Sequence, residues 1–422
     1  MVSTVSRFFI DFIILGLGIQ FLWYAVPLIA VFFLRSKSLS HGRIEPIVSP
    51  RLIVLAPCFN GENNLPGFMN SMLTQTYPRD RYRIVIIADN CTDASAQRAR
   101  ELGADEVYVR CNPTLRGKGY ALDEYFQQRL FQDAFDRLLL FDIDARVSPD
   151  YLQQAAGCES RSPSVFQGST ISKNPKESSL TRVGDLIQSL LRLHQYGRSL
   201  LRLQPLLIGS HGICIDRNAL EHLRWSTAPK GPDGDDLELG LRSFLHGITV
   251  IYAPCLQVIN DLPAQGQAIR LQRRRWTRSV VRLAPTYIGE LVSHGLKGDW
   301  HAWDVLIGVL LLPSFSNFFL ILTTLAASLF LISHSCPGLQ TQAKLAELLW
   351  VLNATYLWIA LWRSGARINP SDAVGIPFYL IVRAVALIES FIFSRSKEWW
   401  PTEHPTEKLE TAAPRPIQEA RR

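Results

Sequence analysis

Tyr82-Arg-Ile-Val-Ile-Ile-Ala88, closed by Asp89, is a short apolar run ending in a single acid. A run of this length reads as a strand buried on both faces, the form strands take in parallel sheets. Upstream, Arg51-Leu-Ile-Val-Leu-Ala56 is a second such run, stopped by Pro57. Residues 62–75 between them place Leu65, Phe68 and Met72 at helical spacing. Downstream the alternation continues: a helix over 94–102, a strand over 106–109, a helix over 120–135 and a strand over 138–141, which runs into Phe141-Asp-Ile-Asp144. Strands separated by single helices predict an α/β domain with a mostly parallel sheet. Ligands of such sheets bind beyond the carboxyl ends of the strands, so Asp89, Asp142 and Asp144 are expected to converge on one edge.

The 422 residues are 47% hydrophobic, enough for one large domain and an apolar surplus outside it. From Phe8 to Leu34 the one charge is Asp11, and the run exceeds the ~20 residues that cross a bilayer core. It is too long for the apolar part of a signal peptide, and Arg35, Lys37 and Arg43 follow it. An uncleaved anchor over 1–36 is expected, with the basic flank placing the next domain in the cytoplasm, at an inner or plasma membrane. Apolar stretches return at 305–333, 345–362 and 373–393. Pro313 leaves the first open to a kinked helix, a tilted span or a re-entrant pair. Arg383 and Glu389 point the third toward the membrane interface. The chain thus divides into a soluble domain over 51–262, interfacial helices over 263–300, a membrane or interfacial region over 301–395 and a disordered tail over 396–422, where Trp399-Trp400 forms an aromatic anchor.

Net charge is +7, with the excess beside the apolar segments, as in Arg270, Arg273, Arg274, Arg275, Arg278 and Arg282. No nucleic-acid module or aromatic platform accompanies it, so nucleic acid is not an expected partner. Membrane lipid headgroups and a diphosphate are. The seven cysteines have no metal-ligand spacing and fit a reduced cytosolic domain.

Three acidic stations precede one further motif: Asp89, then Asp142 and Asp144, then Gly234-Asp-Asp236, then Gln272-Arg-Arg-Arg-Trp276. Each alone has an ordinary explanation. Asp89-Asn-Cys-Thr-Asp93 is also what a loop with an N-cap at Thr92 or Asp93 looks like, an isolated Asp-x-Asp is most often a solvated turn, and the arginine run is also an amphipathic helix facing lipid phosphates. The order of the four stations on one chain points instead to sugar transfer from a nucleotide donor.

With these stations the chain resembles the membrane-embedded family 2 glycosyltransferases of the cellulose and hyaluronan synthase type, over about residues 51–290. The resemblance implies a GT-A type α/β domain flanked by transmembrane helices, and an inverting transfer from a UDP-sugar that depends on Mg2+ or Mn2+. By position, Cys58, Phe59, Glu62 and Asp89 are implied to bind the nucleotide, and Lys118 and Asp142 to line the donor pocket. Asp144 is implied to hold the metal, and Gln272, Arg275 and Trp276 to form the Gln-x-x-Arg-Trp motif against donor and acceptor. Gly209, Ser210 and His211 match a loop near the acceptor. Asp236 matches the general base, with Asp235 as its rival and an acceptor contact. Two departures stand out: Gly61 intervenes before Glu62, and the family's Thr-Glu-Asp triplet is Gly234-Asp-Asp236 here.

Three functions fit this pattern: a synthase extending a polysaccharide, a transferase placing one sugar on a lipid acceptor, and a non-catalytic nucleotide-sugar-binding assembly subunit. Retention of every acidic station disfavours the last. About four apolar segments are few for a polymer channel, so extrusion calls for interfacial helices, an export partner or an oligomer.

Overall fold

The computed structural model describes residues 4–34, 49–160, 162–205, 212–223, 234–311, 340–365, 369–370 and 372–392. The expected acceptor loop at Gly209, Ser210 and His211, the residues around Pro313 and the 396–422 tail lie outside them.

The first half follows the predicted alternation closely. Strands β1 (Leu52–Cys58), β2 (Tyr82–Asp89), β3 (Glu106–Arg110) and β4 (Arg137–Leu140) lie parallel in the order β3-β2-β1-β4. Both faces of these strands are covered. Leu52, Val54, Ala56, Ile84 and Ile86 pack on one side with helices α2 (Leu65–Leu73), α3 (Ser95–Glu101) and α5 (Tyr151–Ala156). Ile53, Leu55, Val85 and Ile87 pack on the other with α4 (Lys118–Gln128) and α7 (Arg217–Leu223). Double coverage is why these strands appear in sequence as unbroken apolar runs.

The second half corrects the expectation of a mostly parallel sheet. After β5 (Arg146–Val147), β6 (Ser164–Ser172), β7 (Ile213–Asp216) and β8 (Thr249–Asn260), the eight strands run β3-β2-β1-β4-β7-β6-β8-β5. β7 is antiparallel to both β4 and β6, and β5 is antiparallel to β8. Reversal matters for the site. An antiparallel β7 begins where β4 ends, and the Gly212 N–H donates to the Leu140 carbonyl at 2.8 Å. Gly212 and the start of β7 therefore lie beside the carboxyl end of β4. Gly212 has φ +67° and a Cβ there would stand 2.4 Å from the Tyr151 hydroxyl, so only glycine fits this corner.

A layer of long helices carries the rest: α1 (Thr4–Phe33), α6 (Ser179–Leu200), α8 (Asp235–Leu245), α9 (Gly266–Leu296), α10 (Trp300–Leu311), α11 (Gln340–Ser364) and α12 (Asp372–Ile392). Helix α6 opens on a capping box between Ser178 and Thr181 and packs on α1 and α11 through Leu186, Leu190, Tyr24 and Tyr356. A Cβ on Gly197 would fall 2.1 Å from the Pro27 carbonyl oxygen, so the two backbones nearly touch. Buried ion pairs lock the same layer. Arg198 grips Asp304 through two hydrogen bonds of 3.0 and 2.6 Å, and the Trp23 indole N–H donates to Asp304 at 2.9 Å. Arg182 pairs with Asp372 at 2.7 Å.

Two helices among the described residues are long and apolar enough to cross a membrane, Ile14–Phe33 and Gln340–Ser364. Helix α12 is not among them, as Arg383 and Glu389 foreshadowed. Its polar side turns inward, with Glu389 bound to Arg270 at 2.7 Å and to Arg274 at 3.7 Å. Val374, Phe378, Ile381, Val385, Ile388 and Ile392 form an exposed stripe at helical spacing on its outer side. Arg278, read from sequence as serving lipid contact or structure, is fully buried.

Candidate active site

The nucleotide edge is formed by the turns that leave β1 and β2. Asn60 and Asn90 stand there at φ 46° and 50°, a left-handed conformation that asparagine tolerates better than most side chains. The two turns are stitched together. The Thr92 N–H donates to the Asn60 side-chain oxygen at 2.8 Å, and the Ala94 N–H donates to Glu62 at 2.9 Å while the Glu62 N–H donates to Asp93 at 3.3 Å. Asp93 also accepts from the Ser95 N–H at 3.0 Å, but α3 is capped at Ala94 without a side-chain hydrogen bond, so the N-cap expected at Thr92 or Asp93 does not form. Gly61, the extra residue, allows the tight fit, because a Cβ on it would lie 2.8 Å from the Cys58 sulfur. Glu62 thus closes the turn onto α3. The Cys58 side chain is buried in the core, which leaves its main chain and Phe59 to face a ligand. The Arg116 guanidinium lies 5.4 Å from the centre of the Phe59 ring.

Asp89 is buried and salt-bridged to Arg110 at 2.6 Å, and Arg110 also bonds Glu124 at 2.8 Å and the Leu115 carbonyl at 2.8 Å. Burial pushes the Asp89 carboxyl above its usual range, against the pull of Arg110. Arg110 was not singled out from sequence; the one signal is a charge closing a strand otherwise apolar enough to be buried. Its effect is to hold the 115–117 turn over Asp89, with Gly117 at φ 123° leading into α4. That turn sets Lys118 as the first residue of α4.

Lys118 is the centre of the second cluster. Its ammonium group is hydrogen-bonded to Asp142 and lies 3.9 Å from Asp235. Asp142 and Asp144 follow β4, and Asp235 and Asp236 open α8, so the lysine joins two of the predicted stations across the sheet edge. The Asp235 Oδ2 atom is buried and has no hydrogen-bond partner. Burial pushes its carboxyl up to about 6, with Lys118 opposing and Asp236 and Asp142 adding to the rise. Asp236 accepts from the Leu237 N–H at 2.8 Å. Both acids also sit where a helix N-terminus favours negative charge.

The triplet's departure has a physical cause. Gly234 has φ +91°, and a Cβ on it would stand 2.8 Å from the Ser279 Cβ and 3.0 Å from Leu283. A threonine at this point fits neither the backbone nor the space. The acids are therefore pressed onto α9, where the Tyr287 hydroxyl also donates to Glu238 at 3.1 Å. Ser279, which Gly234 abuts, lies one turn beyond Arg275 on α9. Trp276 is 39% exposed, with Arg273 4.2 Å from its ring centre. Gln272 and Arg275 are half-buried.

Among the described residues no three His, Cys, Asp or Glu side chains form a ready-made metal cage. A hard cation bridging a diphosphate does not require one, since one or two carboxylates suffice when phosphates and water supply the remaining oxygens. Asp142 and Asp144 offer that donor type. Three carboxylates, Asp142, Asp235 and Asp236, act on one lysine and leave a local negative surplus that a divalent cation offsets. The residues fit such an ion.

Residues 50–279, more than half of the chain, match the profile of the family described as Glycosyltransferase like family 2. The chain belongs to glycosyltransferase family 2. This glycosyltransferase is 22% identical over 274 residues to the probable glucomannan 4-beta-mannosyltransferase 1 of Arabidopsis thaliana, covering 62% of this chain and 49% of that one. It is 20% identical over 373 residues to the probable glucomannan 4-beta-mannosyltransferase 2 of Oryza sativa subsp. japonica, covering 84% and 62%. The chain thus spans less than two thirds of the length of these curated relatives. Among solved structures, the mannosyltransferase PcManGT from Pyrobaculum calidifontis, in complex with GDP-Man and Mn2+, superposes with a TM-score of 0.56 at 16% identity, covering 90% of this chain and 99% of that one. That likeness is one of fold, a mixed GT-A-like α/β sheet.

Proposed function

We propose that this glycosyltransferase is an inverting, divalent-metal-dependent enzyme that moves a hexose from a nucleoside diphosphate donor to a growing glycan at the cytoplasmic face of a membrane. The observation that carries the reading is Lys118 joining Asp142 to Asp235, because it gathers the donor edge and the acid pair into one pocket. When bound, the cation neutralises charge developing on the departing diphosphate. Lys118 and Arg275 add fixed positive charge on the same side, Arg275 with a fork that matches diphosphate oxygens. Asp236, third in the triplet, takes the acceptor proton. Asp235 stands beside it at the start of α8 and is itself held up to about 6 by burial. Trp276 presents an exposed ring face to the acceptor sugar, and the exposed apolar faces of α1, α11 and α12 support membrane embedding.

The mannosyltransferase names of the relatives and the GDP-Man in the PcManGT structure favour GDP-mannose over the UDP-sugar implied by the sequence resemblance. A second reading, transfer of one sugar to a lipid acceptor, is favoured by the small number of span-length helices among the described residues. Full-length protein in bilayers, given Mn2+ and either GDP-mannose or a UDP-sugar panel, separates these by product mass. A ladder is expected with GDP-mannose and with polymer synthesis; a single addition establishes lipid transfer, and intact donor throughout refutes catalysis. Asp236→Asn is expected to abolish transfer and keep nucleotide binding.

A further inference from the structure

Two thiols at the nucleotide edge have no part in sugar transfer. Cys58 closes β1 and Cys91 stands in the turn after β2. They are 33 residues apart, yet the Cys91 thiol donates to the Cys58 carbonyl at 3.3 Å, and the two thiols are hydrogen-bonded to each other. The pairing of β1 with β2 brings about the meeting. Cys58 is in register with Ala88, and the turn beyond it is tied back to the first through Thr92 to Asn60 and Ala94 to Glu62. Sulfurs already in contact across backbones held this way need little movement to join.

The pair is unequal. Cys91 is half-buried, whereas Cys58 is 1% exposed. The Asn60 N–H and the Ser95 hydroxyl reach the Cys91 sulfur, donors that favour a thiolate. The hydrogen bond from Cys58 pulls the Cys91 thiol below its ordinary value against the effect of burial, while the same bond and burial push the Cys58 thiol up. The more accessible sulfur is therefore the one that ionises first, as in a reactive cysteine beside a resolving one. Cys158 and Cys214 differ: both are fully buried in the core, and their thiols are pushed up, Cys158 by a hydrogen bond to Cys255 and by burial, Cys214 by burial. Cys91 directly follows Asp89 and Asn90, and the Asn90 side chain donates to Asp89 at 2.7 Å and accepts from the Asn112 N–H at 2.8 Å. Cys58 directly precedes Phe59. Drawing Cys91 onto the Cys58 sulfur thus displaces the turn that carries Asp89 relative to the one that carries Phe59.

We propose that Cys58 and Cys91 are a redox-sensitive pair that a peroxide converts to a disulfide, closing the nucleotide edge to its donor. The ligand of that edge rests on the functional reading above; the bond itself does not. The Cys91 thiolate attacks one oxygen of the peroxide, the O–O bond breaks, and the departing hydroxide takes up the proton that Cys91 lost, leaving a sulfenic acid. The Cys58 sulfur then attacks the Cys91 sulfur. The S–S bond forms, the S–O bond breaks, and the hydroxyl leaves as water with the Cys58 proton. The thiols are oxidised and the peroxide is reduced, and a thiol reductant reverses the change. Transient disulfides of this kind are the form compatible with a reducing compartment.

The test uses full-length protein in detergent, reduced and then exposed to hydrogen peroxide. Peptide mass mapping is expected to find the peptides of Cys58 and Cys91 joined at the mass of a disulfide. The same samples are titrated with GDP-mannose and a panel of UDP-sugars in Mn2+, and the nucleotide that binds the reduced protein is expected to bind the oxidised one at least about tenfold more weakly, the effect of losing one good charge-assisted hydrogen bond. Dithiothreitol should restore both readouts. Cys91→Ser is expected to bind nucleotide equally before and after peroxide, whereas Cys111→Ser, at an exposed thiol, should respond as the wild type does. Absence of the Cys58–Cys91 cross-link, a cross-linked protein of undiminished affinity, or a Cys91→Ser protein that loses affinity to peroxide would each overturn the proposal. A reduced wild type that binds no nucleotide would instead refute the functional reading, and the cross-link map still decides the bond.

Discussion

At the scale of the residue, Asp235 shows how burial and a single cation set the chemistry of the pocket. Its carboxyl is raised to about 6, with burial as the leading cause. A raised carboxyl means that the folded state holds a proton that the unfolded chain has already released between about pH 4 and 6. Stability therefore falls as the pH rises through this window, and the lower level persists above it. Asp235→Asn is expected to raise the melting temperature at pH 7.5 by a few degrees while leaving it nearly unchanged at pH 4. In the wild type kcat/KM should drop as the pH falls through about 6, because protonating Asp235 removes a negative charge from the pocket that Lys118 and a divalent cation share. The variant should lack that limb and be slower throughout. Bound cation and diphosphate act in opposite directions on this midpoint, so kcat/KM, which reports the free enzyme, is the parameter to follow. Gly234 was legible only as a departure from the family triplet. Its cause, a left-handed turn against Ser279, belongs to a contact between segments far apart in the chain.

At the scale of the element, the parallel half of the sheet was readable because its strands are buried on both sides and separated by single helices. The second half was not. β7 is four residues long, Ile213–Asp216, and nothing in so short a run distinguishes antiparallel from parallel pairing. The arginine-rich α9 was legible as amphipathic, but which arginines face inward depends on α12, and sequence periodicity does not say what packs on a helix. Arg198 is a similar case: its place as the fully buried partner of Asp304 depends on contacts between distant helices. Removing one member of a buried pair leaves the other charge without compensation, at a typical cost of about 3 kcal/mol or more. Asp304→Asn is expected to lower the unfolding midpoint strongly, whereas Arg98→Gln, which breaks an exposed pair with Glu101, should leave it nearly unchanged. Chemical denaturation of the two variants side by side checks the contrast.

At the scale of the whole molecule, the site is assembled from two walls of different attachment. The nucleotide wall is the edge of a sheet packed on both faces, with turns tied to one another by Asn60, Glu62, Asp93 and Asn90. The acceptor wall consists of α8 and α9, and these are bound to the helices that carry the exposed apolar surfaces. The four stations were readable in order along the sequence because each is a local cluster of unusual residues. The sheet rule also predicted that Asp89, Asp142 and Asp144 share one edge, but not that Asp235 would come to Lys118, since that depends on how the helical layer is seated against the sheet.

The contact of Gly234 with Ser279 turns this division into a mechanical property. It leaves no slack between the acid pair and α9, and α9 in turn has little freedom relative to α12. On the proposed membrane placement, the depth of α12 in lipid is thus coupled to the proposed proton acceptor, while the proposed donor edge stays with the sheet. Bilayer thickness then becomes a determinant of turnover, with an optimum where the two walls meet at reacting distance. Turnover measured in vesicles of graded acyl-chain length, with nucleotide affinity constant across the series, is the expected signature of an enzyme whose active site is half gauge and half catalyst.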